Sequence, residues 1–383
     1  MITADEFLTP AIARGWSSWT GVPCSFLTPL INGVASDRRL SYVPATSEGE
    51  AIAIAAGAWF AGRRAVAMMQ NSGLGNAVNP LTSLCAPFRI PLLTLVTWRG
   101  QPGLKDEPQH ELMGRITQQL LDTMEVAHAP FPTDAARIDA ALDEAEASMH
   151  ALSLPFCFVM EKDSVADAAL NEPARSARPA GQGHDFTTRG TRPTRVALLE
   201  RTLAVLPNDA AVIATTGKSG RELFTLADRE QHLYCVGSMG GASAIGLGVA
   251  LHADRPVVVI DGDGAALMKL GNLATIGAAA PARYVHVLLD NGVHDSTGGQ
   301  ATVSSGVDFA AVALACGYRA AFTTDDEDGF ERALRQALTI TGPVLLHARM
   351  APGSMAKLGR PTVPPDAVAR RFRAFVAPQA VAA

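Results

Sequence analysis

Two short turns carry the residues best suited to chemistry. Asp261-Gly262-Asp263-Gly264 follows a strand-like run at 257–260, and Asp290-Asn291-Gly292-Val293 follows another at 284–289. The first run is β-branched and too short for a buried helix, so both read as buried parallel strands. In an open α/β sheet, ligands lie beyond the carboxyl ends of the strands, which lets Asp263 and Asn291 face one ligand. Oxygen donors of this kind suit Mg²⁺, which keeps a few protein contacts and fills its octahedron with phosphate oxygens and water. The chemistry indicated is a metal-diphosphate clamp. Asp-Gly and Asn-Gly are also ordinary turn formers, and either alone would be read that way. The pair, one helix-plus-strand unit apart, carries the inference.

Other candidates stand at similar junctions. Glu48 follows a strand-like run at 41–46, where Ser47 and Glu50 have the spacing of a capping box. That spacing gives Glu50 a structural task and leaves Glu48 at the strand end, although a first-turn acid is also favoured by the helix dipole alone. The segment CVGSMGGASAIGLG, 235–248, places glycines and a serine just before a helix, where free N–H groups favour phosphate. QNSGLGNAVN, 70–79, is a second glycine loop and contains Gly73. In TTGKSGRELFTL, 215–226, Lys218 and Arg221 sit at a helix start where the dipole disfavours cations, which suggests a nearby anion. The long polar loop 98–114 offers Arg99, Lys105, Gln109 and His110 to a substrate. His110 and His294 are proton-shuttle candidates, with a neutral, hydrogen-bonded histidine an equal reading of each.

These residues need elements to hold them. The first half reads as helix 4–16, strand 41–46, helix 48–62, strand 65–70, helix 78–86, strand 91–98, helix 135–151 and strand 155–160. That alternation predicts a mostly parallel sheet covered on both faces. Residues 171–195 hold three prolines, four arginines before Arg195 and hardly an apolar residue, and read as an exposed linker. The alternation resumes with helix 196–206, strand 211–214, helix 220–226, strand 231–236 and helix 242–251. The expected fold is α/β with two doubly wound parallel-sheet domains, 1–170 and 196–383, joined by that linker.

Composition bounds the class. A chain of 383 residues with 48% hydrophobic and 18% charged residues fits two well-packed domains rather than disorder. The formal charge of -5 argues against nucleic acid or an anionic membrane as the main partner. Asp5 and Glu6 stand where a signal peptide needs a positive start, and Arg63-Arg64 and Asp254-Arg255 interrupt the best apolar runs. Five scattered cysteines without metal spacing suit a reducing cytoplasm.

The clamp motif, Gly262-Asp263-Gly264 followed after one unit by Asn291, resembles that of the thiamine diphosphate (ThDP) enzymes. The resemblance implies a fold of pyrimidine-binding and diphosphate-binding domains, with Mg²⁺ held by Asp263, Asn291 and the carbonyl of Val293. It implies that Glu48, with Ala51 and Gly57 matching in order and spacing, is the catalytic carboxyl beside the aminopyrimidine, Glu50 being the fallback. It places Gly73, Gly237, Ser238, Gly262, Gly264 and Ala265 at the cofactor and makes Met239 the apolar wedge under it. Ala265 departs from the pattern, since many relatives carry Ser there, which removes one side-chain contact to the diphosphate. The site is expected between domains of different subunits, hence a homodimer or larger homo-oligomer.

The segments at 21–32, 70–84, 98–110, 215–226 and 290–300 narrow the resemblance to the phosphonopyruvate decarboxylases. The implied reaction is non-oxidative decarboxylation of 3-phosphonopyruvate to phosphonoacetaldehyde and CO₂. Ser25, Arg99, Gln109, His110, Lys218, Arg221 and His294 are the implied substrate contacts. Sulfopyruvate decarboxylases, of similar short architecture, and ThDP-dependent carboligases are the alternatives. A nucleotide-dependent oxidoreductase is disfavoured because no Gly-x-Gly-x-x-Gly follows an N-terminal strand.

Overall fold

The computed structural model describes residues 1–172 and 178–377. The chain divides into two compact units, Met1–Ser176 and Ala177–Ala383, each built on one parallel sheet.

The strands of the first unit are β1 (Trp16–Gly21), β2 (Ser41–Pro44), β3 (Arg64–Gln70), β4 (Leu93–Thr97), β5 (Ala127–Pro130) and β6 (Phe156–Met160). They lie in the order β2-β1-β3-β4-β6-β5, every pair parallel. The chain leaves β1 toward β2 and returns to the other side at β3, so the sheet reverses direction between β1 and β3. Helix Glu48–Phe60 is buried almost all round, which its run of Ala and Ile permits. Several elements differ from the sequence reading, among them helix Thr28–Ser36, which it did not contain. The first helix is Ala4–Ala13, because Gly15 takes φ 86° and ends it, and Trp16 opens a strand in which Trp16 and Trp19 are fully buried. The polar loop gives way at residue 111 to helix Glu111–Thr123, whose single apolar face a loop reading overlooks. Strand β5 is short and lies at an edge of the sheet.

The strands of the second unit are β7 (Gln182–Asp185), β8 (Ala211–Ala214), β9 (His232–Tyr234), β10 (Val257–Gly262) and β11 (Arg283–Asp290). They continue with the small hairpin β12 (Val293–His294) and β13 (Gln300–Ala301), and with β14 (Ala320–Thr324) and β15 (Gly342–Arg349). The main sheet runs β7-β14-β15-β11-β10-β8-β9 and reverses direction between β8 and β10. Val257 to Ile260 in β10 are fully buried, as their β-branched run requires. Part of the segment read as linker is corrected here. Gln182–Asp185 pairs in parallel with β14, with Gln182 opposite Ala320 and Asp185 opposite Thr323. Its backbone groups supply the ladder, so its polar side chains gave no periodic signal. Residues 173–177 of that segment lie outside the described residues. No helix among the described residues is long and apolar enough to cross a membrane.

Candidate active site

At the reversal point of the second sheet, the turns after β8, β10 and β11 converge on a cavity of about 250 Å³. Its walls include Thr215 to Ser219, Met239, Gly262 to Ala265, Asn291 and Val293 to Thr297. The register explains the convergence. Val257 of β10 lies between Ala211 of β8 and Tyr284 of β11, so the three strands end side by side.

The two residues first singled out both face this cavity. Asp263 is 3% exposed and accepts a hydrogen bond from Thr302 Oγ1. Burial pushes its carboxyl above the usual aspartate value, against the lowering effect of Thr302. Asp290 shows the opposite balance. Burial raises it, yet His347 Nε2 at 2.9 Å from Oδ2, Ser304 Oγ donating to Oδ1 at 2.9 Å and Gly292 N donating to Oδ1 at 3.0 Å hold it below the usual range. Asp290 therefore fixes the turn that presents Asn291. Asn291 receives a bond from Val293 N on Oδ1 (3.2 Å) and donates Nδ2 to Asp295 Oδ2 (2.7 Å).

Met239 lines the same cavity, half-buried, as does Ala265. Gly264 is needed for close approach, since a β-carbon there would fall 2.8 Å from His294 Cε1. His294 thus packs against the clamp. Lys218 opens helix Lys218–Leu226 and lines the cavity, whereas Arg221 turns away. Arg221 donates Nε to Gly359 O (2.9 Å) and Nη2 to Leu358 O (3.3 Å), and borders a neighbouring cavity with Arg360. Gly237 and Ser238 precede Met239 outside the cavity wall; Ser238 is buried with φ 51°.

The first unit gathers its candidates at the carboxyl ends of its own strands. Glu48 is half-buried and accepts from Asn76 Nδ2 at 2.7 Å. Gly73, after β3, lies against it. Ser47 caps the helix by accepting from Glu50 N (3.3 Å), but the expected box does not close. The Glu50 carboxylate reaches one residue further back, accepting from Thr46 N and Oγ1 at 2.6 Å each, and Glu50 is 1% exposed.

Arg99, after β4, meets Ser25, after β1, with Nη1 donating to Ser25 Oγ at 2.9 Å. Its other nitrogens belong to Asp106, by Nε to Oδ2 (2.7 Å) and Nη2 to Oδ1 (2.5 Å). Those bonds hold the Asp106 carboxyl well below the usual range and the guanidinium above its own. The charge of Arg99 is already balanced. His110 is buried, with no hydrogen-bond partner for Nδ1 among the described residues, while Gln109 and Lys105 are exposed.

Sequence reading missed several supports of the clamp: Thr302, Ser304, His347, Asp295, Arg195 and Glu222. Arg195 was placed at the end of the linker and is instead 5% exposed. Only the spacing of Asp295, four residues after Asn291, offered a signal.

Comparison with known proteins identifies the family of both units. Residues 2–125 match the thiamine pyrophosphate enzyme N-terminal TPP-binding domain, and residues 216–348 match the C-terminal TPP-binding domain. A phosphonopyruvate decarboxylase of Streptomyces viridochromogenes is 55% identical over 98% of this chain and 95% of its own length. A sulfopyruvate decarboxylase of Methanosarcina acetivorans is 29% identical over 92% of each chain. Among solved structures, benzoylformate decarboxylase from Polynucleobacter necessarius superposes with a TM-score of 0.73 at 13% identity, covering 94% of this chain and 100% of that one. That likeness speaks to the fold.

Proposed function

Because the chain belongs to the thiamine pyrophosphate enzymes, within the group that holds the phosphonopyruvate decarboxylases, we propose that it converts 3-phosphonopyruvate to phosphonoacetaldehyde and CO₂. The observation that carries the reading is the 55% identity along nearly the whole of both chains, set against 29% for the sulfopyruvate relative from Methanosarcina acetivorans, which also matches along most of its length.

Thiamine diphosphate is the cofactor of both matched domains. When bound, it supplies the electron sink that takes up the pair released as CO₂ departs. The second unit fits Mg²⁺ beside the diphosphate. Asp263 is a buried carboxylate that burial disfavours in its charged form, and it faces the cavity together with Asn291 and Val293. The described residues contain no group of three His, Cys, Asp or Glu side chains suited to a metal. One carboxylate, the Asn291 amide oxygen and the Val293 carbonyl would hold a hard cation whose remaining positions go to diphosphate oxygens and water.

Glu48 would hold the proton at N1′ of the aminopyrimidine, while its Oε2 accepts from Asn76 Nδ2. Met239 supports the cofactor from the cavity wall. Lys218 offers a point charge to the phosphonate, while Arg99, already neutralised by Asp106, contributes with Ser25 as a hydrogen-bonding pair. Gln109, His110 and His294 complete the proposed substrate contacts. Arg221, bound to two carbonyls, positions the 358–359 segment instead. A homodimer or larger assembly is part of the proposal. Five free cysteines fit a reducing cytoplasm.

The test is CO₂ release with ThDP and Mg²⁺ from 3-phosphonopyruvate, 3-sulfopyruvate and pyruvate in parallel. Preference for phosphonopyruvate is expected. Preference for sulfopyruvate overturns the substrate, and turnover of none overturns the decarboxylase.

A further inference from the structure

Beside the turn that carries Asn291 lies a buried ionic cluster outside the clamp motif, two of whose members, Arg195 and Asp295, line the same cavity. Arg195 donates Nη2 to Asp295 Oδ2 at 2.5 Å, and Nη1 to Glu222 Oε1 at 3.3 Å and to Gly353 O at 3.1 Å. Side-chain exposures are 5% for Arg195, 0% for Glu222 and 11% for Asp295. Gly353 N also donates to Asp295 Oδ1 at 3.2 Å, and Met355 N to Glu222 Oε1 at 3.0 Å. Asp295 is thus held from several sides and has little room to move. The same oxygen that receives Arg195 receives Asn291 Nδ2, at 2.7 Å.

An asparagine amide has two faces of opposite character, a donor NH₂ and an acceptor oxygen. An ionised carboxylate only accepts, so Asp295 admits one orientation. The opposite flip would set two acceptor oxygens against each other at hydrogen-bond distance. In the admitted orientation Oδ1 lies on the Val293 N side, with its second lone pair left for a cation.

We infer that Arg195 and Asp295 are positioning residues that lock the Asn291 amide with its oxygen toward the metal. The inference rests on the proposed Mg²⁺ and ThDP site. Outer partners of metal ligands act in this way, by fixing orientation rather than by touching the ion.

The test measures the apparent Mg²⁺ dissociation constant of the full chain at fixed ThDP by calorimetry, together with the melting temperature of the protein without cofactor. Asp295→Ala is expected to weaken Mg²⁺ about 10–100-fold. Asp295→Asn keeps an acceptor oxygen, and is expected to recover most of that loss. If Asp295→Ala does not fold, Asp295→Ser carries the same expectation, because its hydroxyl stops short of Asn291. A Mg²⁺ affinity within about two-fold of wild type for Asp295→Ala or Asp295→Ser overturns the inference, being well below the effect of losing a ligand's outer partner. So does an Asp295→Asn protein as weak as Asp295→Ala, which would assign the effect to charge alone. A wild-type chain that takes up no Mg²⁺ with ThDP overturns the proposed site, and this inference with it.

Discussion

A β-carbon at Gly73 would fall 2.4 Å from both Cγ and Oε1 of Glu48, so only glycine at this position lets the carboxylate stand where it does. Gly73→Ala must displace Glu48 by a substantial part of an ångström. Misplacement on that scale costs catalysis about 10²-fold. The expected result is a loss of that order in kcat, with ThDP affinity changed far less, read from steady-state kinetics beside a cofactor titration.

Glu48 and Glu50 share a helix turn but should separate cleanly under mutation. Glu48→Gln removes the titrating group while keeping its size, and should lower kcat by about 10²–10⁴ with an unaltered melting temperature. Glu50 accepts from Thr46 N and Oγ1, so Glu50→Ala leaves a backbone donor unpaired and should cost about 1–3 kcal/mol of stability. Denaturant melts and kinetics on both variants decide the assignment. The reverse pattern would move the catalytic role to Glu50.

Asp263 sets affinity against stability. Among the described residues its buried charge has no cation as a hydrogen-bond partner, only the Thr302 and Ser304 hydroxyls and the Gly264 N–H. Asp263→Asn keeps the acceptor for Thr302 and removes the charge. The cofactor-free protein should gain on the order of 1 kcal/mol, a rise of about 2–4 °C in melting temperature. The same variant should lose Mg²⁺-dependent ThDP binding, which calorimetry reads directly. A lower melting temperature would show that the hydrogen bonds from Thr302, Ser304 and Gly264 outweigh the burial of the charge.

The Arg99–Asp106 pair predicts an acid-sensitive contribution to stability. Arg99, then the Glu107 and Gly100 N–H groups, depress the Asp106 pKa in the folded protein. A depressed carboxylate stabilises above its unfolded pKa, about 3.9, and loses that contribution as pH falls through its folded value. Asp106→Asn should therefore cost on the order of 2 kcal/mol at neutral pH, the scale of hydrogen bonds to a charged group. Urea melts from pH 7 to pH 3 should show the gap between wild type and variant holding down to about pH 4 and then narrowing. A gap that is constant across the range would mean the bonds act without the charge.

Much of the clamp was legible because its residues follow strands with strong β-branched signals. Val257 to Ile260 announce β10, and Asp263 and Asn291 follow at fixed distances. The supports were not legible, because Arg195, Thr302 and His347 reach the clamp from distant parts of the chain through tertiary contacts. Strand β1 escaped notice since Trp16-Ser17-Ser18-Trp19 lacks alternation; its burial on both faces comes from neighbours, not from its own pattern. The failed capping box at Glu50 has a local cause. Spacing identifies which side chains can reach a helix start, but the choice between the Ser47 and Thr46 amides is made by packing. Arg99 looked like a free cation until Asp106, seven residues on, was seen to claim two of its nitrogens.

The edge strand β7 bears on how the second unit can be cut from the chain. It is drawn from a polar stretch, yet it covers the open side of β14 along four residue pairs. A fragment that begins at residue 196 would strip that cover and leave the N–H and C=O groups of β14 free to recruit another molecule, a common origin of aggregation. A fragment that begins before Gln182 carries its own edge protection.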